Sequence, residues 1–133
     1  MAVDGFFRPV SGLDLPRFAG PATFMRLPLV PPGHARFAEV EVGLIGAPWD
    51  GGTTNRPGPR HGPRALRDAS SMVRAQHGVT GMRPFDTLAC ADLGDVGPNP
   101  ADLADTMARM EAFYGMIRAA GIVPLTGGGD HLC

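Results

Sequence analysis

The sequence contains no lysine: all 12 of its basic residues are arginine. A Schiff base, or any step driven by a lysine amine, is therefore excluded from this chain. Cysteine is almost as scarce. Cys90 and Cys133 form no Cys-x-x-Cys pair and no disulfide framework, which points to a reducing compartment, the cytoplasm. Long apolar runs are also missing. No stretch reaches the length of a membrane span, and the N-terminus lacks the apolar core of an export signal. Nor does either charge predominate. With a net charge of −1 there is no basic footprint for nucleic acid or for an anionic membrane, and neither is expected as a partner.

What is present describes a globular chain. A length of 133 residues, 44% of them hydrophobic and 19% charged, suffices for one domain with a modest core. Glycine and proline are abundant, at 19 and 14 residues. They fall at turns between apolar segments, so long ordered loops are expected rather than disorder.

Residues 1–38 carry no clear periodicity and are punctuated by Pro9, Pro16, Pro21, Pro28, Pro31 and Pro32. They are expected to form an extended arm ahead of a domain at 39–133. Phe6, Phe7, Phe18, Phe24, Met25 and Leu27 make that arm adhesive, either to its own domain or to a neighbouring subunit. Residues 38–46 alternate at first and then become nearly continuously apolar, as a strand buried on both faces does. A long loop follows, Ala47 to Pro63. It has neither the Gly-Lys-Ser/Thr ending of a phosphate loop nor GxGxxG spacing, which argues against a nucleotide-binding module.

Pro63 suits the first turn of a helix. Over 63–75, Ala65, Leu66, Ala69, Met72 and Val73 share one face, which leaves most of the arginines on a solvated or interface side. Residues 87–93 read as a second strand. Asp92 and Asp95 at its end are read as Asx turns in preference to paired carboxylates. A helix is expected over 100–120, with Asn99 as N-cap, Leu103, Met107, Met110, Tyr114 and Ile117 as its apolar stripe, and Gly121 just past its end. Residues 122–125 form the last strand. Strand, helix, strand, helix, strand predicts a parallel α/β layer. Its loops converge where open α/β sheets bind ligands, at the carboxyl edge.

The final strand runs into Gly127-Gly128-Gly129-Asp130-His131. The glycines permit a sharp turn and close approach. His131 offers a neutral imidazole, and Asp130 is placed to orient it or to bind beside it. Taken alone, this pattern fits an ordinary polar turn better than a metal site.

The first loop changes that balance. Gly46-Ala-Pro-Trp-Asp-Gly-Gly-Thr-Thr-Asn-Arg-Pro-Gly-Pro-Arg-His-Gly-Pro-Arg64, together with Gly128-Gly-Asp-His131, resembles the ureohydrolases, the arginase and agmatinase family. Phe24-Met-Arg-Leu-Pro28 and Arg60-His61-Gly62-Pro63 look closer to guanidinobutyrase and agmatinase-like members than to arginase. The resemblance covers about residues 12–133. It implies a three-layer α/β/α sandwich around a parallel sheet, and two manganese ions that activate a hydroxide to hydrolyse a guanidino compound to an amine plus urea. It implies His131 as a metal ligand, Asp130 beside it, and Asn55 and His61 on a substrate-side loop. It further implies a homo-oligomer, trimer or hexamer.

The family's Asp-x-His-x-Asp and Asp-x-Asp motifs do not occur in this sequence. One histidine cannot hold a two-metal centre, so no catalytic residue is expected within the chain. The reading is therefore the N-terminal part of such an enzyme, inactive and poorly soluble or molten by itself. The alternative is a non-catalytic partner that docks on a longer homologue.

Overall fold

The computed structural model describes residues 2–132, so Cys133 lies outside the described residues. Three strands form one sheet in the order β2-β1-β3, with β1 at Val42–Ala47, β2 at Cys90–Asp95 and β3 at Val123–Gly128. Both pairings are parallel. Val42 faces Cys90 on one side and Val123 on the other, and Leu44 faces Asp92 and Leu125. This is the expected α/β arrangement, a part of an α/β/α sandwich.

A helix crosses over between each pair of successive strands: α1 at Gly62–Ser70 after β1, and α2 at Leu103–Ala119 after β2. Strand alternation divides their contacts. Ile45, Ala47, Ala91 and Leu93 share a core with Met110 and Ile117 of α2, so that face belongs to α2. Leu44 and Cys90 look the other way, into a second cluster with Phe24, Leu27 and Phe85. α1 lies on that side, where Arg67 reaches Asp92.

The first strand starts later than residue 38, because Phe37–Glu39 close a 3-10 turn that ends at the buried Val40. β2 is likewise shifted toward the carboxyl side of 87–93, and β3 runs on through the first two glycines.

α2 is capped by Asp102, not Asn99: the Asp102 carboxylate accepts from the Asp105 amide at 3.0 Å. Asn99 instead builds the turn before the helix, accepting from the Ala101 amide and donating to Asp105. The Thr106 hydroxyl donates to the Asn99 and Asp102 carbonyls, which turns Thr106 into the interior. The buried stripe is consequently Thr106, Met110 and Ile117 with Phe113 and Tyr114 beside it, while Leu103 and Met107 stay about half exposed. Burial of Met110 and Ile117 contributes roughly 3–6 kcal/mol before entropy, less than five buried side chains would. Gly121 does follow the helix, at φ 73°.

α1 also differs from its sequence pattern. It ends at Ser70, short of residue 75, so Met72 and Val73 fall beyond it and are exposed. Leu66 lies over Gly127 of β3 while staying 46% exposed, and Pro63 and Arg67 turn inward. The arm packs on its own chain: Phe7, Phe24, Leu27 and Val30 are buried, and Leu29 bridges to Asp92 alongside β2. Leu13 and Phe18 are its most exposed apolar side chains, at 98% and 94%. Among the described residues, no helix is long and apolar enough to cross a membrane.

Candidate active-site edge

The loop after β1 and the turn after β3 leave the sheet side by side, since Ala47 pairs with Gly128. They are then tied together. The Asp130 amide donates to the Trp49 carbonyl at 2.9 Å, and the Asp130 carboxylate accepts from the Gly52 amide at 2.8 Å. Its other oxygen accepts from the Leu132 amide at 3.0 Å. Glycine is required for this approach. A Cβ on Gly129, already at φ 68°, would lie 2.5 Å from both the Ala47 and the Trp49 carbonyl oxygens.

A second acid fixes the far part of the loop. Asp50 is 4% exposed and accepts from the Gly58 amide at 2.7 Å and from the Arg60 side chain at 2.6 Å. The Arg60 guanidinium, with help from the Gly58 and Arg60 amides, holds this carboxyl down at about 2. The loop is thus pinned by one acid at each end. Sequence reasoning missed Asp50, for an acid among glycines reads as a turn until its cation, ten residues on, is seen to fold back.

Between the two loops lies a cleft of about 470 Å³, lined by Trp49, Gly51, Gly52, Thr53, Thr54, Leu103, Asp130, His131 and Leu132. His131 is exposed at its rim, on a turn that follows a strand parallel to β1. Asn55 and His61 are exposed and lie outside this lining. The cleft offers an indole wall, a hydroxyl-bearing floor and one free-standing imidazole.

Asp92 and Asp95 are a pair of carboxylates sharing one cation, which corrects their reading as turn formers. Arg67 binds Asp92 through Nε at 2.7 Å and through its terminal nitrogen at 2.9 Å, and binds Asp95 at 2.6 Å. Asp92 also accepts from the Gly94 amide two residues on, the part of the turn reading that survives. An acid facing inward from a buried strand needs a counterion, and that was the signal for Arg67 in the sequence. Buried Cys90 has its thiol pushed up by desolvation, which leaves it unreactive.

As a test for metal, the donor set is short. Among the described residues, no group of three or more His, Cys, Asp or Glu side chains is placed to hold an ion. The Asp130 oxygens are taken by amides, which leaves His131 as a single donor.

The arginase family profile matches residues 40–133. The guanidinopropionase of Pseudomonas aeruginosa is 51% identical over 94% of this chain and 38% of its own length. The guanidinobutyrase of the same organism is 44% identical, over 93% of this chain and 39% of its own length. The chain thus spans well under half of the curated relatives it matches. Among solved structures, proclavaminate amidino hydrolase from Streptomyces clavuligerus superposes with a TM-score of 0.78 at 37% identity, covering 87% of this chain and 37% of that one.

Proposed function

Since this chain belongs to the arginase family, we propose that its residues build one wall of the active site of a manganese-dependent ureohydrolase. The substrate is a guanidino compound of the guanidinobutyrate or agmatine type, released as an amine plus urea. The guanidinopropionase and guanidinobutyrase relatives support this substrate class. The observation that carries the reading is the tie between the two loops. Asp130 clamps the Trp49–Gly52 segment and so presents His131 at the cleft rim.

In this reading His131 gives one imidazole to one manganese ion, and the remaining ligands come from polypeptide beyond these residues. Bound manganese supplies a water acidic enough to deprotonate near neutral pH. Asp130 does not bind metal. It holds the backbone that carries His131, as an outer-shell carboxylate does. Trp49 gives the substrate's methylene chain an apolar surface and keeps water from that side. The chain by itself has no catalytic residue and is inactive. Its compartment is the cytoplasm, and the intact enzyme is a trimer or hexamer.

The test is urea release from 3-guanidinopropionate, 4-guanidinobutyrate and agmatine with manganese present. The 133-residue chain is expected to match the protein-free control, and sustained turnover by it would refute the single-ligand assignment. In the enzyme that carries these residues in full, His131→Asn is expected to lower manganese affinity at least about tenfold. Unchanged manganese affinity in that variant removes His131 from the site.

A further inference from the structure

A second cleft, of about 250 Å³, lies between residues 6–10 and 15–29 of the arm. His131 takes no part in it. Its walls are apolar, including Val10, Leu15, Leu27 and Leu29, and its charged residues are Arg8 and Arg26, with no acid among the lining. Arg26 is 8% exposed. One terminal nitrogen donates to the Leu15 carbonyl at 2.8 Å, while the other is buried with no hydrogen-bond partner. Among the described residues, no carboxylate lies within ion-pair distance of it, although the sequence has 13 acidic residues and places partners beside Arg36, Arg60 and Arg67.

A buried guanidinium without a counterion is costly. The backbone that holds it there is costly as well. Met25 and Arg26 are consecutive non-glycine residues in the left-handed region, at φ 53° and 60°. Four hydrogen bonds hold that conformation: Thr23 to the Leu27 carbonyl, the Phe24 amide to Asp92, the Met25 amide to Ser70, and the Val10 amide to the Arg26 carbonyl. A conformation fixed this firmly, ending in an unanswered charge within an apolar recess, is the complement of a small anion with an apolar tail.

We propose that this cleft binds a short aliphatic monocarboxylate. The carboxylate pairs with the Arg26 guanidinium where it lines the cleft, and the tail lies along Leu15, Leu27 and Leu29; Arg8, also in the lining, is already bound to Asp86 at 3.6 Å. The site is separate from the His131 cleft and stands whether or not that cleft belongs to a ureohydrolase.

Equilibrium dialysis of labelled hexanoate against the chain tests this directly. Saturable binding of one hexanoate per chain is expected. It should weaken at least about tenfold in Arg26→Met, as loss of a charge-assisted pair dictates, and remain in part in Arg26→Lys. Hexanol and hexylamine should not compete. Circular dichroism of each variant shows whether the fold is retained, and Leu29→Asp supplies a second probe at an exposed wall position that should also abolish binding. The proposal is overturned if wild type takes up no hexanoate, if hexanol competes equally, or if folded Arg26→Met binds as wild type does. It is equally overturned if the chain self-associates through Arg26 and excludes the acid, for then a second copy supplies the carboxylate.

Discussion

The Arg67 guanidinium meets the Asp92 carboxylate side-on, two hydrogen bonds of 2.7 and 2.9 Å joining α1 to the centre of β2. Its carbon stands 4.3 Å from the centre of the Phe24 ring, and Asp92 in turn accepts the Phe24 amide at 2.9 Å. One buried pair therefore holds the helix, the strand and the arm together. Within α1 only Pro63 is fully buried and Leu66 is half exposed over Gly127, so this contact does much of what side-chain burial usually does for a helix.

Arg67→Met should accordingly destabilise the fold by about 3–5 kcal/mol, because Asp92, with a fully buried side chain, is left charged and unpaired. Arg67→Lys should recover only part of this, since an ammonium makes neither the two-point contact nor the ring stack. Pairing Arg67→Met with Asp92→Leu should cost less than Arg67→Met alone. Urea unfolding midpoints decide it, and a double-variant loss equal to the sum of the Arg67→Met and Asp92→Leu losses would show that the pair does not couple.

Asp50 gives the first loop its pH dependence. Its carboxyl is held down at about 2, first by the Arg60 side chain and then by the Gly58 and Arg60 amides. A carboxyl with a depressed folded value stabilises the fold above its ordinary value, and that contribution is lost as pH falls through the folded value. Loop order should hold at pH 5 and fail between about pH 4 and 2. Trp49, the one tryptophan, sits beside Asp50 and reports this by fluorescence. In Asp50→Asn the acid transition should disappear. A transition that persists in that variant would assign it to another group.

The sequence was most legible where pattern and burial coincide. The apolar run into Gly46 announced β1, the alternation of strand and helix announced parallel strands, and the glycines before Asp130 announced the turn that carries His131. Helix faces were read less well. Hydrophobic periodicity carried the first helix on to residue 75, yet α1 stops at Ser70 and leaves Met72 and Val73 beyond it, while within the helix Arg67 turns to the sheet beside Leu66. In α2 a single threonine hydroxyl, bonded to two carbonyls, rotated the buried stripe away from Leu103 and Met107. Both outcomes depend on specific polar partners, Asp92 twenty-five residues on for Arg67 and the bend at Asn99 just before the helix for Thr106. Periodicity within one segment carries no information about either.

Gly129→Ala tests whether the tie between the two loops requires close backbone approach. The added carbon would stand 2.5 Å from two carbonyl oxygens, so the turn must move away from Ala47 and Trp49. The expected cost is about 1–3 kcal/mol, in the range of other overpacked sites. Amide exchange should locate it: the Asp130 and Gly52 amides lose protection, while those of β1 keep theirs. Uniform loss across the sheet would instead mean that the turn is integral to the fold.

The outer side of β3 is the remaining structural liability. β1 occupies one edge of the strand, and among the described residues nothing pairs with the other. Val123 and Leu125 are 60% and 56% exposed, on the face where Leu66 of α1 lies over Gly127. An open, apolar parallel edge recruits other chains by the same hydrogen bonds that build the sheet. Leu125→Lys puts a charge on that surface without touching either buried cluster, so it should raise the soluble fraction of the isolated chain several-fold and leave its unfolding midpoint within about 0.5 kcal/mol. The contrast with Phe18→Ser settles which surface associates. Phe18 is the most exposed aromatic of the arm, and if its replacement, rather than Leu125→Lys, restores solubility in light scattering, self-association runs through the arm and not the sheet edge.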